Sequence, residues 1–134
     1  MNSSFTQRRW AVTGALLAAA SVVLGAFATH SLKEMLTPDR LETFRTGISY
    51  MQYHALGILV CSQWMTEADS TRAAWAARLF VAGIVLFTGS LATLSITGMT
   101  WLGAVAPIGG LAFITGWVML AIAVSRPRLP RTGA

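Results

Sequence analysis

The fold class that the sequence predicts is all-α: an integral membrane four-helix bundle with a short amphipathic interfacial segment before the second helix. Three observations predict it. Of 134 residues, 54% are hydrophobic and 11% charged, roughly half the charge density of a soluble globular domain. A soluble fold this small has too little interior to hide so much apolar surface. The apolar residues fall into runs without a single Asp, Glu, Lys or Arg: Trp10 to Leu32, Thr46 to Thr66 and Leu79 to Ser125. The charges sit between or beyond those runs, where chain ends and short loops meet water and headgroups.

These runs lay out a single transmembrane domain over residues 1–134, with spans at about 10–32, 46–66, 75–95 and 101–124 and an amphipathic lead-in at 38–45. The first run, at 1.5 Å per residue, is longer than the roughly 30 Å hydrocarbon core. Arg8-Arg9 before it and Ala26-Phe27-Ala28 before Thr29 also have the layout of a secretory signal cut after Ala28. The apolar stretch exceeds a typical signal core, which favours a retained helix. Thr37-Pro38 opens the second helix, Thr as cap and Pro in the first turn. Asp39 to Arg45 is charged and amphipathic, with Glu42 spaced to pair with Arg45, and belongs at the membrane surface. Tyr50 and Tyr53 then suit an interfacial aromatic belt.

Glu67, Asp69, Ser70 and Thr71 form a polar break, after which Asp69 or Ser70 caps a third helix. The last run, Leu79 to Ser125, is 47 residues long. As one helix it would measure roughly 70 Å, more than twice the hydrocarbon thickness, so it folds back once. Ser95 to Thr100, with Gly98 inside it, is the natural turn. Seven basic residues (Arg8, Arg9, Arg72, Arg78, Arg126, Arg128, Arg131) then fall on one side and three (Lys33, Arg40, Arg45) on the other. The positive-inside rule puts the seven, and both termini, in the cytoplasm.

Helices in lipid associate through close packing at small residues. The sequence offers Gly14 with Ala18 and Ser21 with Gly25 in the first helix, Gly83, Gly89 and Ser90 in the third, and Ala106 with Gly110 and Ala112 with Gly116 in the fourth. Pro107, followed by Gly109-Gly110, predicts a kink or a short unwound stretch within the fourth helix. The net charge of +5 is scattered over ends and loops rather than gathered on one face, which argues for anionic lipid headgroups and against nucleic acid as the counter-charge. The single cysteine, Cys61, lies in an apolar run and reads as a buried, inert thiol.

Four blocks carry a resemblance. Gly25-Ala26-Phe27-Ala28-Thr29-His30-Ser31-Leu32-Lys33 and Phe44-Arg45-Thr46-Gly47-Ile48-Ser49-Tyr50-Met51-Gln52-Tyr53-His54-Ala55-Leu56 come first. Gly83-Ile84-Val85-Leu86-Phe87-Thr88-Gly89-Ser90-Leu91 and Pro107-Ile108-Gly109-Gly110 with Gly116-Trp117 follow in order. From about Leu24 to Leu120 the chain resembles the small membrane family called domain of unknown function 423, related to transmembrane protein 256. It departs from that pattern at Thr29 (Ala expected), Thr88 (Ser), Ala92 (an aromatic) and Ala106 (Thr). The resemblance implies a multi-pass bundle in the bacterial inner membrane and implies no activity.

His30 and His54 are the only histidines, and ionisable groups at membrane depth are candidate functional sites. With Arg45 and Tyr50 they form the candidate polar site. Tyr50, His54, Gly57 and Cys61 recur at helical spacing as a stripe, suited to a helix seam or to a ligand groove against the first helix. No carboxylate lies inside a span, and neither a Ser-His-Asp set nor a phosphate loop is recognisable. The leading expectation is therefore a non-enzymatic accessory or assembly protein that meets membrane lipids, other integral membrane proteins or itself, with no cofactor. The alternatives are a small transporter or proton-handling protein using His30 and His54, and haem, metal or quinone-like ligand binding between the first two helices.

Overall fold

The computed structural model describes residues 3–65 and 70–125, and within them the chain is helical with no strand. Helix α1 (Ser3–His30) runs the length of the first apolar stretch. A 3-10 turn, Leu32–Glu34, leads to α2 (Pro38–Gln63). Helix α3 (Ser70–Gly83) continues through a π-helical segment, Ile84–Thr88, into α4 (Gly89–Thr97) as one rod. After a second 3-10 turn, Thr100–Ala104, α5 (Ala106–Val124) completes the fold. Three stretches are long and apolar enough to cross a membrane: Ser4–Glu34, Thr71–Thr97 and Thr100–Val124. Helix α2 is not among them, being diluted by residues such as Gln52 and His54.

Helix α2 nonetheless packs against more of the other elements than any other helix. It packs along α1 on one side and against α3, the π segment and α4 on the other, while α3 lies along α5. Eleven of its residues are buried, Leu41 through Ser62. A helix wrapped by neighbours meets few lipid chains, so polar side chains cost it less than they cost an outer helix.

The local starts and stops differ from expectation in two ways. Thr37 occupies the N-cap of α2 but its side chain makes no capping bond; Pro38 at the first helical position starts the helix, where its missing N–H loses nothing. Residues 38–45 form the opening turns of α2: Leu41 and Phe44 are buried with Ile48, Ala28 and Leu32, whereas Asp39, Arg40, Glu42 and Arg45 are exposed. Pro107 produces no kink, because α5 begins at Ala106 and Pro107 falls in its first turn; the break lies earlier, in the 3-10 turn. The turn around Gly98 is as expected. Gly98 takes φ +78 as the left-handed C-cap of α4, and the Arg40 guanidinium lies against it at the negative end of that helix. The polar break at 67–71 falls largely outside the described residues.

Packing turns on glycines that face phenylalanines. A Cβ on Gly57 or Gly116 would stand 2.9 or 2.7 Å from the Phe80 ring, so that one ring sits between α2 and α5. A Cβ on Gly83 would run into the Phe113 ring, and one on Gly109 into the Phe87 backbone. On the other side of α2, a Cβ on Gly14 would stand 2.9 Å from the Ala55 carbonyl oxygen. Gly25, Gly89 and Gly110 differ: nothing lies within 4 Å of a side chain added there. Gly109→Ala should therefore lose about 1–3 kcal/mol, since backbone cannot yield as a side chain does. Gly110→Ala should be neutral or up to about 1 kcal/mol more stable through helix propensity. Unfolding in mixed micelles of increasing dodecyl sulfate content measures both.

Candidate functional site

The four candidate polar residues do not assemble. His30 is exposed on the last turn of α1. Arg45 is exposed on α2, and among the described residues no ion pair joins it to Glu42, which is also exposed. Tyr50 and His54, one helical turn apart, are brought together. His54 is 5% exposed, and its Nδ1 donates to the Tyr50 carbonyl at 2.6 Å.

The His54 imidazole enters an aromatic cluster drawn from three elements. It stacks on Phe113 of α5 with centroids 3.4 Å apart and planes 10° apart. Phe80 of α3 lies 5.4 Å away, and Tyr50 and Trp117 are each at 6.0 Å. Tyr50 in turn meets Phe87 at 4.7 Å and Tyr53 at 6.2 Å. Offset and stacked ring pairs of this kind contribute about 0.5–1.5 kcal/mol beyond area burial. Tyr50 is thus part of an inter-helix cluster rather than a free-standing belt residue. The stripe Tyr50, His54, Gly57 and Cys61 faces α3 and α5, so the expected groove against the first helix is a seam on the opposite side of α2.

The second element of the site is the π segment. Its Thr88 hydroxyl donates to the Gly47 carbonyl of α2 at 2.8 Å, both groups buried. Gly47 has no side chain to hold the helices apart: a Cβ there would already touch Leu91 at 3.4 Å. The other buried hydroxyls return to their own helix, Ser21 to the Ala18 carbonyl, Ser62 to Leu59, Ser90 to Phe87 and Ser95 to Leu91. Among the described residues no buried side-chain nitrogen or oxygen lacks a partner. Nor does any group of three His, Cys, Asp or Glu gather there as metal ligands. Cys61 is buried and free.

Phe80, Phe87, Phe113, Trp117 and Thr88 were not singled out as site residues from the sequence. A signal was present: Phe80 and Phe87 are seven apart, and Gly109, Phe113 and Gly116 recur at intervals of four and three. Helical spacing puts each set on one face, but it does not say which glycine faces which ring.

A chain made of long apolar helices, with its buried polar groups satisfied internally, is a small all-helical membrane protein. It belongs to the family described as protein of unknown function (DUF423), whose model matches residues 24–110. It is 41% identical over 116 residues to the UPF0382 membrane protein YwdK of Bacillus subtilis (strain 168), covering 84% of this chain and 92% of that protein. It is 39% identical over 111 residues to the UPF0382 membrane protein SH2409 of Staphylococcus haemolyticus (strain JCSC1435), covering 83% and 90%. No solved structure matches it significantly.

The Thr88 bond is the test of how the seam is held. Thr88→Val should cost about 0.6–1.7 kcal/mol, the range for inter-helix hydrogen bonds in membranes. Thr88→Ser should retain most of it because the donor stays. The same micelle unfolding series distinguishes them.

Proposed function

We propose that all four helical rods cross the bacterial inner membrane as a bundle with α2 at its centre, and that the protein is a non-enzymatic accessory or assembly factor for other membrane proteins. One observation carries this reading. The buried polar groups are satisfied within the chain, with Thr88 bonding across the seam to α2, whereas the outward surface is apolar and includes the open glycines Gly25, Gly89 and Gly110. Exposed Val12, Leu16, Val22, Val23, Val85, Leu111, Ile114 and Val118 suit lipid. A glycine without a neighbour on such a surface allows a second helix to approach closely. His30 is exposed at the end of α1 while His54 is buried on α2, which favours this reading over a two-histidine proton path or a bis-histidine haem site.

The arginines support an orientation with both termini cytoplasmic. Arg8 and Arg9 lie in the first turns of α1, and Arg72 and Arg78 in the first half of the α3–α4 rod, halves that share one side when α1, α2 and the rod alternate in direction. With both termini cytoplasmic, a C-terminal alkaline phosphatase fusion should be inactive and a C-terminal green fluorescent fusion bright. The reverse pattern refutes the orientation.

The assembly role is tested by purification from native membranes in a mild detergent and mass spectrometry of what accompanies the chain. A reproducible membrane-protein partner, lost when Gly89→Leu or Gly110→Leu closes the open positions, is the expected result. A chain that emerges alone under every mild condition refutes it.

A further inference from the structure

The nitrogen that His54 does not use is the group the fold leaves open. Because a carbonyl can only accept, Nδ1 carries the proton in its bond to Tyr50, and the neutral ring then presents Nε2 as a bare acceptor. Among the described residues nothing donates to Nε2, yet no buried side-chain nitrogen there lacks a partner. Nε2 therefore retains access to the outside. Of the four rings around the imidazole, Phe80 and Phe113 are buried whereas Tyr50 and Trp117 are 41% and 44% exposed. Tyr50 on α2 and Trp117 on α5 are thus the two rings about the imidazole with surface left outside the chain.

Depth decides what can fill it. His54 is sixteen residues after the start of α2 at Pro38 and nine before its end at Gln63, about 24 and 14 Å along the axis. If α2 crosses as proposed above, on which this inference rests, Nε2 lies well inside the roughly 30 Å hydrocarbon core. An unpaired acceptor there is costly, and the hydroxyls of lipid headgroups stop at the interface. A donor that reaches this depth has to be carried by an apolar molecule, and the half-exposed aromatic side chains of Tyr50 and Trp117 favour a flat one.

We propose that His54, Tyr50 and Trp117 form a binding site for a planar, hydroxyl-bearing lipid-soluble molecule of the quinol class, whose O–H donates to His54 Nε2 while its ring lies against the two aromatic side chains. The step is binding alone, with no transfer of electrons or protons.

The test compares two probes on the full chain in phosphatidylcholine nanodiscs: a decyl-substituted benzoquinol and its dimethyl ether, which keeps the ring and tail but has no O–H. The protein should bind the quinol saturably and the ether about tenfold more weakly, the difference of one buried hydrogen bond. His54→Phe, which retains an aromatic ring to stack on Phe113, should bind both equally. Equal binding of the two probes by the unsubstituted chain, or a preference that survives in His54→Phe, overturns the proposal, and the first comparison needs no variant to fold. A spin label at Leu56→Cys, in the same nanodiscs, separates the two levels of inference; buried Cys61 stays unlabelled. A label more accessible to oxygen than to a nickel chelate, with no quinol preference, sinks the site and leaves the membrane crossing of α2 standing. A label open to the chelate sinks both, since water would then satisfy Nε2.

Discussion

Phenylalanine rings set against glycines are the contacts on which the arrangement of the helices depends. In lipid, burying one apolar helix against another gains little over burying it in acyl chains, so cohesion has to come from contact at short range. The Phe80 ring touches the backbone surface at both Gly57 and Gly116 and so ties three elements, α2, α3 and α5, at one point. Phe113 does the same toward Gly83, and the backbone at Phe87 comes so near Gly109 that no side chain fits between. These contacts fix the separation of the α3–α4 rod from α5, and the depth at which α2 sits against both.

Once the helices are that close, polar groups between them have to be satisfied there. Thr88 does this across the seam and the buried serines do it along their own helices. The π segment beneath Thr88 is consistent with the same demand: a widened turn re-aims the side chains on either side of it, and such turns are frequent at functional sites. Helix α2 shows the converse. It carries the most polar residues of the four rods and is the least able to cross a membrane by composition, yet it packs against α1 and against the whole α3–α4 rod.

The family relationship and the structure meet at these same positions. Gly47, His54, Gly83, Phe87, Thr88, Gly109 and Gly116 all lie in the blocks that carry the resemblance, and each takes part in a contact between elements. What the blocks describe physically is a packing and hydrogen-bonding pattern centred on α2, with His54 buried within it.

Much of the fold was legible because its signals are local or one-dimensional. Run lengths demand helices, a run of 47 uncharged residues demands a reversal, and Gly98 marks it through a backbone conformation that glycine takes without strain. The start of α2 at Pro38 follows likewise from what proline does to its own backbone. Three-dimensional questions were not legible. Spacing put Gly83, Gly89, Gly109 and Gly110 in one class, but only the placement of Phe113 and the Phe87 backbone divides them into contacts and open positions. Pro107 had the composition of a kink and became a helix start, because the 3-10 turn before it took up the bend. His30, Arg45, Tyr50 and His54 were four polar residues of equal standing in the sequence, and the rotation of α2 about its axis, set by the rings it packs against, brings only Tyr50 and His54 together. The sequence by itself determined an all-helical membrane chain and its turns, because backbone preference and apolar run length act along the chain. The tertiary structure decided which small and polar residues meet, because that depends on rings supplied by helices distant in sequence.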